Sequence, residues 1–501
     1  MKKLSFVVAI AALAAFASCN KVAEIPTVEV AMSSFAFTAE ANSCLNADYV
    51  FLTPESAFTI TFPYGTAEAS LKALIPTFSV TEGATVTVDD KVIESGKTEV
   101  DFTYPVEFLV SVNEKSNAQY TVTVKIEGAP TWSKKAESTV EFKSEPAMAL
   151  TPDGENLYVF GYDSDSHPVM LSYKDGAFSQ IGETPETETA NNIACACAPD
   201  GVPYAAFYDS ASKQVKVYAY KNNKATAVGD ASAILQPTGN SVGSTTIVPI
   251  AENNIYLFLC SNKADASIGL ARRGLNVCHY DGTKWEQGVS LADWGGNQTY
   301  DSRMKWIDGV PYVFILDYAN AQIYIYKYTD KAWKAVCKAV SVPTQGEDEG
   351  VITSASFKYG AMNFDVASNG DIYFATAANY KTEKGTNELG VVKYDIATEK
   401  VSVVGNIMTD VFDSKFRYLS MALSDNDVPF VVYGNTFTEL PAYITYIDSK
   451  TKTWANPVAV ESKVTQGIDI QFGADGVGYI VYLDNETYHF VVCTNEVADA
   501  E

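Results

Sequence analysis

The chain is short of basic residues. Over 501 residues, 36 Lys and Arg stand against 61 Asp and Glu, a formal charge of −25. Without Lys2 and Lys3 of the leader the balance is 34 against 61, or −27. So acidic a body, with no basic run, repels nucleic-acid phosphates and anionic membrane surfaces, which excludes nucleic acid as a partner. The acidity itself keeps an exported protein soluble. Histidine is scarcer still: His167, His279 and His489 are too few and too scattered for a triad or a histidine metal cluster. There is no GxSxG, HExxH, P-loop or dinucleotide-binding glycine fingerprint. No catalytic residue, metal or cofactor is therefore expected. Arginine is limited to Arg272, Arg273, Arg303 and Arg417, nearly all of which a sialidase would need for its carboxylate-binding triad. The longest apolar run, Leu4 to Phe16, is too short to span a bilayer.

What the chain has is a repeat, clearest between Asn192 and Gly229. An apolar stretch (Ile193 to Cys197) breaks at Pro199-Asp200-Gly201 and resumes as Pro203 to Tyr208. After a polar break come the alternating Val215, Val217, Tyr218 and Tyr220, a second turn, and Ala225 to Gly229. That reads as four short strands, a sheet too small to cover both faces alone and in need of neighbours of its own kind. The first turn recurs at Pro152-Asp153-Gly154, Glu252-Asn253-Asn254, Asp308-Gly309, Asn369-Gly370, Asp425-Asn426-Asp427 and Asp475-Gly476. Asp, Asn and Gly suit such turns because they tolerate positive φ. A β-branched and aromatic strand follows each, as in Ile255-Tyr256-Leu257-Phe258, and the fourth strand often opens on Trp, as at Trp285, Trp333 and Trp454. Seven units spaced 47 to 61 residues apart fit the blades of a β-propeller. The last unit lacks a fourth strand, and Trp132 to Phe142, which opens on Trp like the others, is expected to supply it and close the ring. The alternative is a tandem of β-sandwiches.

Residues 1–18 have the three parts of an export signal: Lys2 and Lys3, the apolar run, and the small residues Ala17 and Ser18. Phe16-Ala17-Ser18-Cys19 resembles the lipobox of bacterial lipoproteins. The resemblance implies a triacylated Cys19 as mature N-terminus, a lipidated linker over 19–27, and a partner in the outer membrane, reached through the anchor, with the body at the periplasmic face or cell surface. Seven cysteines remain: Cys44, Cys195, Cys197, Cys260, Cys278, Cys337 and Cys493. Most are expected to be small core hydrophobes. Cys260 and Cys278 fall on adjacent strands of one unit, where a disulfide could join them.

From 28 to 128 the texture is alternating strands without the four-strand repeat. The clearest are Ser34 to Phe37, Ala57 to Phe62, Ala84 to Val88, Val106 to Val112 and Tyr120 to Val124. About seven strands in such a length read as an Ig-like β-sandwich. Leu71 to Phe78, Gly83 to Val86 and Tyr120 to Val124 resemble the Ig-like modules at the start of many Gram-negative surface lipoproteins, especially glycan-scavenging ones. That resemblance implies a spacer. Gly128-Ala129-Pro130 ends the module, leaving an all-β chain: an Ig-like sandwich followed by a seven-bladed propeller over 131–495, closed by 132–142.

Propellers bind at one mouth, lined by the loops between second and third strands and between blades. The residues expected there are Arg272, Arg273, Trp294, Asn297, Tyr300, Arg303 and Tyr380, with His167 on the same side. Aromatics beside Asn, Asp and Arg suit sugar rings, whose C–H faces stack while their hydroxyls pair; they equally suit a protein partner. Trp294 has a plainer reading, as a plug between blades. The expectation is a monomeric body that binds a glycan, or a protein, without transforming it. Its rivals are a glycan lyase or hydrolase using acidic residues at the mouth, and an envelope-complex scaffold, which would show a large apolar patch on a blade flank.

Overall fold

The structure, a computed structural model, describes residues 27–45, 48–185, 188–230, 234, 242–261, 264, 266, 269–295, 298–317, 322–341, 362–378, 388–409, 411, 417–435, 441–448, 451–461, 465–473 and 476–496. Cys19, Asn297 and Tyr380 lie outside them, as does the side chain of Tyr300. The chain is all-β and divides into two compact units: Met1–Ile60 with Glu68–Lys125, and Thr61–Ala67 with Ile126–Glu501.

The first unit holds a three-stranded sheet (Tyr49–Leu52, Met32–Phe37, Thr77–Val80) and a five-stranded one. The latter runs Ala57–Phe62, Ser116–Ile126, Val106–Asn113, Thr85–Val88, Lys91–Val92. Its core is aromatic: Phe35 meets Phe108 edge-on at 5.4 Å and Phe37 meets Phe102 at 5.0 Å, all four fully buried. Between the expected strands, Glu68–Ala73 forms a 3₁₀ helix that the strand reading of this module did not include. The helix buries Leu71, and Leu74 just beyond it is buried in an antiparallel bridge with Val100.

The second unit contains seven four-stranded antiparallel sheets among the described residues. Their first strands are Ala147–Leu150, Ala190–Cys197, Val242–Ala251, Thr299–Ile307, Met362–Val366, Arg417–Leu423 and Thr465–Phe472. All seven expected turns fall between first and second strands. Second strands are buried along their length, as in Pro203–Asp209, because neighbouring sheets cover both faces, which is why the sequence there runs apolar without alternation. Outer strands such as Ala177–Gln180 and Lys224–Ala227 are short, polar and mostly exposed, which blunts the free edge. Trp285 and Trp333 open fourth strands; Trp454 does not, since it makes only an isolated bridge to Ile447 and the fourth strand there is Val458–Ala459.

Each pair of consecutive sheets encloses its own hydrophobic cluster, from Phe160 and Phe207 between first and second to Phe430 and Ile480 between sixth and seventh. The circuit closes through a cluster of Val159, Leu171, Val481 and Phe490 between seventh and first. The fourth strand of the seventh sheet is Thr131–Glu141, antiparallel to His489–Glu496 with Val492 opposite Ala136. There Glu137 accepts from Lys134 at 2.6 Å and from Thr487 at 3.0 Å, and lies 3.0 Å from His489 Nδ1.

Those contacts, Lys134 first, hold the Glu137 carboxyl down at about 2, against the opposing effect of burial. A group depressed in the folded state adds stability above its unfolded value and loses it as pH falls through the folded one. Against Glu137→Gln, the wild type should therefore keep its full margin in melting temperature above about pH 4.5, and the margin should shrink towards pH 2. A margin that does not change across that window would show that the strand closure draws nothing from this carboxylate.

The disulfide that could join Cys260 and Cys278 does not form; both thiols are free. The strands are adjacent, but Cys260 faces Leu275 and Cys278 faces Leu257. A three-residue offset turns the side chains to opposite faces of the sheet. Burial pushes the Cys260 thiol up to about 12 and that of Cys278 higher, as befits core hydrophobes.

Candidate functional site

The first strands of the seven sheets surround a cavity of about 790 Å³ lined by their N-terminal halves. Four of them carry a β-bulge at this level, between Asn191 and Ala194, Val242 and Ser244, Thr299 and Ser302, and Gln466 and Asp469. A bulge adds an unpaired residue and re-aims the side chains around it. Asp301 sits in the third bulge, and the left-handed Gly467 in the fourth, where a Cβ would collide with Glu145.

Three cations line the cavity, Lys143, Arg303 and Lys305, of which Arg303 stands beside the carboxylates. Its Nε donates to Asp301 Oδ2 at 3.2 Å, and the side chain is 53% exposed. That exposure is to the solvent of a cavity walled by protein, so charges act on one another there more strongly than at an outer surface. Asp301 foremost, then Asp469 and Glu145, raise the affinity of the guanidinium for its proton against the cost of burial. Glu145 is open to the cavity solvent, yet the protein packed around it lifts its carboxyl above the ordinary range, opposed by a hydrogen bond with Tyr418 and by the Arg303 charge. On the far wall, Asn363 Nδ2 donates to Ser420 Oγ at 2.7 Å, and that hydroxyl donates to Asp469 Oδ1, tying three first strands together. The Ser244 hydroxyl also lines the cavity, with no hydrogen-bond partner among the described residues.

Below, the space narrows to about 140 Å³. Successive strand residues point opposite ways, and Lys305 and Trp306 use this to reach across in two directions. Lys305 Nζ contacts Asp365 at 2.8 Å and the Met421 carbonyl at 3.0 Å, in the fifth and sixth sheets. Trp306 Nε1 donates to the Cys197 carbonyl of the second sheet at 2.7 Å.

Of the residues expected to bind, Arg303 lines this cavity. Trp294 is half-buried with its ring 4.8 Å from that of Tyr324, against the cluster between third and fourth sheets. His167 and Arg273 lie in second-to-third-strand loops whose backbones meet the starts of first strands: Ala190 N–H donates to Ser166 O at 2.8 Å, and Thr299 N–H to Arg273 O at 2.7 Å. Both loops thus belong to the end of the ring where the wide cavity lies, and Arg272 is exposed on the second. The Asp163 carboxylate is engaged by the backbone N–H groups of Asp165 and His167, each at 2.9 Å, as a turn. Among the described residues no three His, Cys, Asp or Glu side chains are grouped to hold a metal. Exposed large apolar side chains in the second unit, again among the described residues, are Ile396, Val458 and Tyr488, on three different sheets.

Glu145, Asp469, Ser420, Asn363 and Lys305 were not foreseen as a site. One signal for them exists: the first strands bury apolar residues on both faces, yet each of these four polar residues other than Glu145 interrupts such a strand.

Residues 45–124 match the family described as SGBP, N-terminal. No curated protein matches the chain. Among solved structures, it is similar to the fucose-specific lectin from Aleuria aurantia (10% identity, TM-score 0.38, covering 70% of this chain and 91% of that one). It is also similar to a fungal alcohol oxidase of the AA5 family in complex with copper (13%, 0.45, 74% and 76%) and to a PL25 ulvan lyase (12%, 0.38, 61% and 84%).

Proposed function

We propose that this chain is an outer-membrane lipoprotein, anchored through Cys19, in which an Ig-like sandwich carries a seven-bladed β-propeller whose central cavity binds a glycan without transforming it. The match of residues 45–124 to the SGBP family supports a glycan-binding protein of the cell surface. Seven four-stranded sheets in a closed circuit support the propeller. The observation that carries the ligand is Arg303, held among Asp301, Asp469 and Glu145 in a cavity of about 790 Å³. A guanidinium donates and carboxylates accept, which is what a hydroxyl-rich sugar needs on its two sides. Cavities of ~300–1,000 Å³ are the usual size for small ligands.

Arg303→Ala should reduce affinity at least tenfold, or about 1.4 kcal/mol, for whichever glycan the wild type captures on an array, with little change in melting temperature since the side chain is half open. Undiminished binding by the variant would take the site away from the cavity. Cys19→Ser should move the protein from the membrane fraction to the soluble one. A variant that still sediments with membranes would end the lipid-anchor reading.

One observation favours a second reading. Glu145, whose carboxyl is raised by the protein packed around it although its side chain still reaches the cavity solvent, has the property of a general acid. If the wild type releases new reducing ends or unsaturated products from the captured glycan, and Glu145→Gln stops this while still binding, the protein is a hydrolase or lyase.

A further inference from the structure

We propose that the cavity takes the end of a glycan chain and not an internal stretch of one. This rests on the reading of the cavity as a glycan site. An internal stretch must both enter and leave, so it needs a groove open at two sides or a channel open at two ends. The cavity offers no lateral exit, because its wall is the seven first strands, each backed by the rest of its sheet and sealed to the next by a hydrophobic cluster.

The lower end is crossed twice. Trp306 reaches the second sheet over the third, and Lys305 reaches the fifth and sixth. Both start from one strand and brace it in opposite directions, which narrows the passage at that level to about 140 Å³. A chain that enters must stop there, and only a terminus can.

The chemistry of the wall agrees with this. A terminal sugar has a hydroxyl that is blocked by the next linkage in every internal residue. Asp301, Asp469 and Glu145 are acceptors for such a hydrogen, and a wall built to pair with a hydroxyl discriminates against a ligand that lacks it. Arg303 supplies the complementary donor.

The test uses the full chain and an array of neutral α- and β-linked glucans, xylans and mannans together with uronic-acid polymers. The strongest binder is taken as a short and a long fraction, and each is titrated calorimetrically. The inference expects one protein bound per glycan chain in both fractions. It also expects at least a tenfold loss of affinity when one of the two chain ends is chemically modified. If the number of proteins per chain grows with length while Arg303→Ala still abolishes binding, the cavity remains the site and chain-end capture is wrong. If the ratio stays at one but Arg303→Ala binds normally, the cavity is not the site. Failure of every glycan on the array to bind overturns both.

Discussion

Phe490→Ala is expected to cost the second unit about 3–5 kcal/mol of stability, the range for removing a fully buried phenylalanine, or a fall of roughly 5 °C in melting temperature for a domain of this size. Phe490 lies on the last full strand of the seventh sheet and is stacked on Phe142 at a centroid separation of 3.7 Å, both rings being buried. Phe142 N–H donates to the Tyr488 carbonyl at 2.7 Å, just where the chain leaves the closing strand, and Lys143 N–H donates to Tyr162 O at 3.0 Å in the first sheet. The stack therefore occupies the seam between the two ends of the unit. Gly161 of the first sheet makes room for it: a Cβ there would stand 2.5 Å from Phe490 Cζ and 2.8 Å from Phe142 Cδ1. This glycine is selected for space and not for its φ, so Gly161→Ala should destabilise by overpacking, about 1–3 kcal/mol. The decisive measurement is the pair. Removing the Phe490 ring frees the volume the new methyl needs, so the double variant should be clearly more stable than the sum of the single losses predicts. Strict additivity would show that the two sites do not share a packed seam.

This seam was legible in the sequence, and the cavity was not, for a physical reason. A turn of Asp, Asn or Gly followed by a β-branched strand reports on local backbone conformation, which sequence neighbours decide. Seven such signals fall in seven sheets, and the lack of a fourth strand in the last unit pointed to Trp132–Phe142. The binding residues were sought in loops, because long variable loops stand out. Of the residues sought there Arg303 lines the cavity, and the others that do so are single polar residues on first strands: Asp301, Asn363, Ser420 and Asp469. They are brought together by closure of the ring from positions far apart in the chain, and no local pattern encodes that. The same limit explains the absent disulfide. Adjacency of the strands bearing Cys260 and Cys278 could be read, but register could not, and register set the thiols on opposite faces. Trp294 illustrates the converse: an aromatic in a polar loop looks like a ligand platform, whereas its ring is engaged with Tyr324.

Lys305→Ala should be as damaging as the loss of the Phe490 ring, although it removes no apolar core residue. Lys305 and Asp365 are almost wholly buried, at 13% and 14% side-chain exposure, and their contact is 2.8 Å. Deleting the cation leaves a carboxylate out of water with only backbone donors, Leu423 N–H and Val366 N–H, each at 2.9 Å. Breaking a buried pair from one side costs ~3–5 kcal/mol, because the surviving charge keeps its desolvation penalty and loses its partner. If that is the origin of the loss, neutralising the other side should recover most of it. Lys305→Met combined with Asp365→Asn keeps the lysine stem's volume, removes the buried charge and keeps an acceptor oxygen for one of the two amides, so it should unfold at a denaturant midpoint nearer the wild type than Lys305→Ala does, with an unchanged slope. A double variant as unstable as the single one would mean that the brace to the Met421 carbonyl, and not the ion pair, carries the stability. In either case the cross-strut is placed where the ring is narrowest, and there a charge pair can join three sheets that hydrophobic contact between neighbours joins only two at a time.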